Sequence, residues 1–136
     1  MGSRRKSREA ALKILFAMDA TGQTAEEAIA AYLQNLAEEG ESTDFTSILV
    51  RGVASKLAEI DEVIKSASQN WRIERMARVD RNILRLATYE LYHVPDVPRR
   101  VSLNEAIELG KRYGAEDSPA FVNGILDRIA AGIQKE

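Results

Sequence analysis

The chain has 136 residues, of which 45% are hydrophobic and 29% charged, with no cysteine and a net charge of −2. This length suits one domain with a real core, and the composition is that of an ordinary globular protein. It excludes a disulfide frame, a thiol nucleophile and a thiolate metal site, and no apolar run approaches the roughly 18–20 residues needed to span a bilayer.

Arg4, Arg5, Lys6 and Arg8 cluster at the start, without the apolar core of a signal peptide. A first helix is expected from about Arg5 to Ala20, where Ala11, Leu12, Ile14, Leu15, Phe16 and Met18 form one broad apolar face. At 100° per residue, Arg4 and Arg8 project onto the middle of that face. They cannot both be helical and lie against the core, so residues 1–8 are expected to form a basic arm that overhangs the bundle or is uncoiled. Acids dominate from Asp19 to Glu62, and basic residues again from Lys65 to Arg100. A basic end on a mildly acidic protein suits a local nucleic-acid contact better than general polyanion binding.

Thr24 and Glu27 read as a capping box for a second helix, with Ala28, Ile29, Tyr32, Leu33 and Leu36 as its stripe and Gly40-Glu41-Ser42 as its break. A long third helix is predicted from about Thr43 to Ser68, buried through Phe45, Ile48, Leu49, Val53, Leu57, Ile60, Ile64 and Ala67. Asn70-Trp71-Arg72 marks a connection with Trp71 as a lid on the core edge, and Ile73 to Met76 has room for one short turn. Val79 to Val94 reads as the central helix, apolar through Val79, Ile83, Leu84, Leu86, Ala87 and Leu91. Asp80 sits at its N-terminus, where the helix dipole favours an anion. Glu90 falls inside the apolar face and needs a cation or donor if buried, which points to a structural salt bridge.

Pro95 and Pro98 stop the central helix. Ser102 and Glu105 read as a second capping box, and Gly114 as a helix exit in the left-handed conformation. Ser118 and Pro119 read as N-cap and first residue of the last helix, buried through Val122, Ile125, Leu126, Ile129 and Ile133, with Gly124 permitting close helix approach. The corner between these helices carries Glu116 and Asp117, with Phe121 one turn on. It is either a binding edge or an ordinary connection. No strand pattern and no internal repeat is present. The reading is a single all-α domain of about seven helices.

Catalytic chemistry is sparse. His93 is the one histidine, no metal-ligand spacing occurs, and there is neither a glycine-rich phosphate loop nor a nucleophile elbow. The residues by themselves indicate a helical binding protein rather than an enzyme, with no cofactor, and the lack of cysteine fits a cytoplasmic setting.

Three stretches are more specific: Arg8-Glu9-Ala10-Ala11-Leu12-Lys13-Ile14-Leu15-Phe16, then Val79-Asp80-Arg81-Asn82-Ile83-Leu84-Arg85-Leu86-Ala87-Thr88-Tyr89-Glu90-Leu91, then Asn104 to Leu109 followed by Phe121-Val122-Asn123-Gly124-Ile125-Leu126. In this order and spacing the chain resembles the NusB family of bacterial transcription antitermination factors over nearly its whole length. The resemblance implies two packed three-helix bundles plus a short helix. It implies binding of boxA RNA together with NusE, a small-subunit ribosomal protein, in a complex that lets RNA polymerase read through terminators, notably in ribosomal RNA operons. It assigns RNA contact to Arg4, Arg5, Lys6, Arg8, Asp117 and Phe121, and NusE contact to Phe16, Glu74, Asp80 and Arg85. It also allows a homodimer.

Overall fold

The computed structural model describes residues 2–35, 44–69 and 71–133. Seven α-helices are formed among them: α1 (Gly2–Thr21), α2 (Ala25–Asn35), α3 (Asp44–Ser55), α4 (Leu57–Ser68), α5 (Arg78–His93), α6 (Arg99–Tyr113) and α7 (Ser118–Ala131), with a single 3-10 turn at Ile73–Arg75. Leu36, the Gly40-Glu41-Ser42 break, Thr43 and Asn70 lie outside the described residues. The helices α1, α2 and α3 pack together as one bundle and α5, α6 and α7 as another, while α4 leans on α5 and α7. The central helix α5 touches α1, α3, α4, α6 and α7, which is why its apolar face is so wide. Ile83, Leu84, Leu86 and Leu91 on it are fully buried.

The basic start is not an arm. It is the first two turns of α1, helical from Gly2. The conflict that the helical wheel poses is resolved by pairing: Arg8 does face the core, 5% exposed, and lies on the equally buried Glu90. A buried cation is tolerated when its charge and donors are matched.

The predicted third helix is two helices. Lys56 takes φ −112° and ψ 18°, bending the backbone while its N–H still reaches Gly52 O at 3.1 Å and Ile60 N–H reaches Lys56 O at 2.9 Å. The bend lets α3 stay with α1 and α2 while α4 turns onto α5 and α7. It also takes Ile48 and Leu57 out of the buried stripe; both are exposed, as is Leu33 on α2. Glycine at 52 leaves room for the Tyr89 ring of α5, into which a Cβ at that position would run.

The Thr24–Glu27 capping box forms as expected, with bonds of 2.9 and 3.1 Å. The second one does not. The helix α6 begins at Arg99, after Pro98, because Arg99 and Arg100 continue it backwards. Ser102 and Glu105 therefore sit inside the helix and are spent on tertiary contacts. Gly114 does end α6, but at φ −95° and ψ −170°, an extended rather than left-handed exit. The reason for glycine there is space, since a Cβ would meet the Ser118 side chain at 2.5 Å and Gly110 O at 2.9 Å. Ser118 is the first residue of α7, with Asp117 preceding it as an N-cap that makes no side-chain capping bond. Close approach of α6 and α7 occurs at Gly110 against Pro119, whereas Gly124 faces open space.

Candidate nucleic-acid and partner interface

The N-terminal turns of α1 meet the start of α6 and the end of α5. Arg8 donates to both oxygens of Glu90, Nε to Oε2 at 2.7 Å and Nη2 to Oε1 at 2.9 Å. The Ser102 hydroxyl adds a third bond to Glu90 Oε1 at 3.1 Å. Glu90 is thus the salt-bridged acid that its position in the apolar face required. Its cation is a residue expected to touch RNA, and at 5% exposure Arg8 braces the fold from within.

Arg5 lies one turn earlier and points outward. It grips Glu105 with two bonds of 3.1 and 2.8 Å, the arginine 55% exposed and the carboxylate 15%. The Arg5 hydrogen bond, joined by the charges of Arg5 and Arg8, outweighs the opposing effect of burial and leaves Glu105 below the usual carboxylate range. The same hydrogen bond raises the Arg5 pKa. Arg4 pairs with Asp96 at 3.3 Å, and its guanidinium lies 4.3 Å from the Phe45 ring centre, a cation–π distance. Lys6 is exposed. Arg4, Arg5, Arg8, Asp96, Val97, Pro98, Val101 and Glu105 line a cavity of about 450 Å³.

From this cavity a groove runs between α1 and α6. Arg112 pairs with Glu9 at 3.2 Å and Lys111 with Glu108 at 3.4 Å. Lys13 Nζ lies 5.9 Å from the Tyr113 ring centre. Arg5·Glu105 marks one end of the groove and Lys13·Tyr113 the other, eight residues along each helix, or about 12 Å at 1.5 Å per residue. The corner with Asp117 follows directly. Arg5 thus stands at one end of this groove, and the corner that carries Asp117 comes four residues after Tyr113 at the other. Asp117 is exposed. Phe121 is half-buried and meets the exposed Trp71 edge-to-face, ring centres 5.5 Å apart. Trp71 is thus less a lid than the outer half of an aromatic pair.

The four expected partner residues differ in exposure and in what they already touch. Phe16 is exposed, with the Arg78 guanidinium 5.8 Å from its ring, and Glu74 is exposed on the 3-10 turn, 3.8 Å from Arg72. Arg85 is instead bound within the fold, donating twice to Asp61 at 2.8 and 2.9 Å and once to Asp19 at 3.2 Å. Asp80 accepts the Ser118 hydroxyl at 2.6 Å, while the Ser118 oxygen accepts Ala115 N–H at 2.9 Å. Asp80 thus has an intramolecular donor within the fold.

Sequence reasoning missed the network around Asp19, which also accepts Arg81 Nε at 2.8 Å and Asn82 Nδ2 at 2.9 Å. The spacing of Asn82 and Arg85, three apart on one helix face, was a signal; their acids on α1 and α4 were not identifiable without the packing. Two arginines close helix ends: Arg99 donates to Ala130 O and Ile133 O at 3.0 and 3.2 Å, and Arg128 to Ala67 O at 2.7 Å. Both donate to carbonyls at or just past helix C-termini. No group of acids and histidines able to hold a metal occurs among the described residues.

The model of the NusB family matches residues 5–131. The chain is 53% identical over 133 residues to the transcription antitermination protein NusB of Sorangium cellulosum, covering 98% of this chain and 95% of that one. It is 50% identical to the Myxococcus xanthus protein of the same name, covering 99% of each. Among solved structures it is similar to T. maritima NusB, with TM-score 0.85 and 40% identity over 96% of this chain and 92% of that one. It is also similar to a chain in a crystal structure of antitermination factors NusB and NusE in complex with dsRNA, with TM-score 0.84 and 26% identity over 96% and 98%.

Proposed function

The chain belongs to the NusB family, and on that premise we infer that it is a transcription antitermination protein that binds boxA RNA together with NusE and supports read-through by RNA polymerase, notably in ribosomal RNA operons. The observation that carries this is likeness along essentially the entire chain to antitermination proteins, together with a matching fold in a complex of NusB, NusE and RNA. The mechanism is binding without catalysis, in the cytoplasm where nascent RNA is made.

In this reading Arg4, Arg5 and Lys6 supply the phosphate contacts and Arg8 braces the helix that presents them. The Trp71–Phe121 pair beside Asp117 offers a stacking platform for an unpaired base, worth about 1–3 kcal/mol per base. Phe16 and Glu74 form the accessible part of the NusE surface, with Asp80 and Arg85 shaping the helix behind them.

Titration of a fluorescent boxA RNA with the full chain over a salt series tests the reading. Three engaged cations on a single strand give a slope of log affinity against log salt of about −2. Alanine at Arg4, Arg5 and Lys6 together flattens it, and NusE tightens binding. A second reading, in which RNA is held only by NusE, is favoured by the intramolecular acids already on Arg4 and Arg5. It wins if the chain alone does not bind and the triple variant leaves the ternary affinity unchanged.

A further inference from the structure

We propose that Glu105, assisted by Asp96, is a specificity-determining residue that competes with RNA phosphate for the N-terminal arginines. This rests on the reading that the first turns of α1 contact RNA. A guanidinium meets a phosphate through the same forked edge with which it grips a carboxylate. In the free chain that edge of Arg5 is fully used on Glu105, Nε at 3.1 Å and Nη2 at 2.8 Å. Arg4 is likewise engaged by Asp96. RNA must therefore exchange one anion for another rather than land on an open cation.

The exchange is physically feasible because of what remains behind. Glu105 is only 15% exposed, and stranding a carboxylate there would be costly. Arg8 Nη1 lies 4.0 Å from Glu105 Oε1 and is locked in place by Glu90, so Glu105 keeps a cation when Arg5 swings out. Arg5, 55% exposed, is the mobile member. The carboxylate is held below the usual range, so it is charged, and competing, throughout the neutral pH range.

The consequence is selectivity. A polyanion that offers nothing but phosphates recovers little from breaking these pairs. An RNA that also places a base at the Trp71–Phe121 corner makes contacts that the acids do not oppose. The Arg112–Glu9 and Lys111–Glu108 pairs extend the same self-neutralisation along the groove, and a chain of net charge −2 does not attract polyanions by bulk field.

The test compares the full chain with Glu105→Gln, Asp96→Asn and Arg5→Ala, each titrated with a boxA RNA and with an oligouridylate of equal length at one salt concentration, after thermal melts establish folding. Glu105→Gln is expected to tighten oligouridylate about two- to fivefold, the scale of one exposed ion pair. It should tighten boxA RNA less, so the ratio of the two affinities falls. Asp96→Asn, on an exposed connection, moves both affinities in the same directions and carries the test if Glu105→Gln fails to fold. Equal tightening of the two RNAs, no change, or weakening by the acid variants while Arg5→Ala weakens binding would overturn the proposal and leave Glu105 as a residue that merely positions Arg5. An Arg5→Ala chain that binds boxA RNA as well as the parent would instead remove the N-terminal turns from the RNA site, and the proposal with them.

Discussion

Arg8 and Arg5 differ by three positions and have opposite fates. Arg8 is sealed against Glu90, so its removal takes the cation from a carboxylate that is 2% exposed. Arg8→Ala is expected to cost about 3–5 kcal/mol, read as a lower urea midpoint, whereas replacing the pair by Met at 8 and Leu at 90 recovers most of that loss. Arg5→Ala changes stability little, because that arginine is solvated and exposed pairs contribute weakly. Loss of RNA binding in an Arg8 variant therefore has to be read beside its stability, while loss in an Arg5 variant reports on contact. The need of Glu90 for a cation was legible in the sequence, since an acid inside an apolar arc demands one. Which cation supplied it was not, because 82 residues of chain separate the two.

At the scale of elements, helix existence follows the apolar spacing closely, and helix limits follow it less well. The split at Lys56 left no mark in the stripe, since the period of three and four continues across it. Gly52, one turn earlier, marks a different feature, a bare Cα that admits Tyr89. Gly52→Ala is expected to lower the melting temperature, with Tyr89→Ala in the same chain relieving part of the clash. At Gly124 an alanine methyl would meet nothing within 4 Å, and the residue lies inside α7, so Gly124→Ala stabilises by up to about 1 kcal/mol from helix propensity. The two substitutions, scored by thermal melts, separate a glycine needed for packing from one that is not. The apparent capping box at Ser102 and Glu105 shows the limit of local pattern: the same two residue types serve a helix start or an ionic cluster, and Arg99 and Arg100 decided for the cluster by extending the helix.

At the scale of the molecule, the two bundles are joined by charge as well as by apolar packing. Asp19 on α1 and Asp61 on α4 are tied to α5 through Arg81, Asn82 and Arg85. Arg85→Ala is expected to lose about 2–3 kcal/mol in the absence of any partner, as measured by denaturation. A NusE-binding defect in that variant with unchanged stability would contradict this. Burial pushes the Asp19 carboxylate up, but bonds from Arg81 and Asn82 and the charges of Arg81 and Arg85 outweigh it and hold it below the ordinary value. The folded chain thus binds that proton less readily than the unfolded chain. The contribution is whole above the ordinary value of about 3.9 and is lost as pH falls through the folded value. Asp19→Asn should lower stability at neutral pH and flatten the acid limb of a stability–pH profile.

The apolar periods of Ile14, Ile83, Leu84 and Val122, and the ordered wording of the three family stretches, determined by themselves that this chain is all-helical, which family it belongs to and that its N-terminal turns are basic. Those properties are local or compositional, and each is written in residues that are near neighbours in sequence. The tertiary structure alone decided the direction each cation takes: Arg8 inward to Glu90, Arg85 across to Asp61 and Asp19, Arg5 outward yet held by Glu105. An arginine's role depends on which acid is brought within about 3 Å of it, and those acids come from other helices, at separations that no periodicity records.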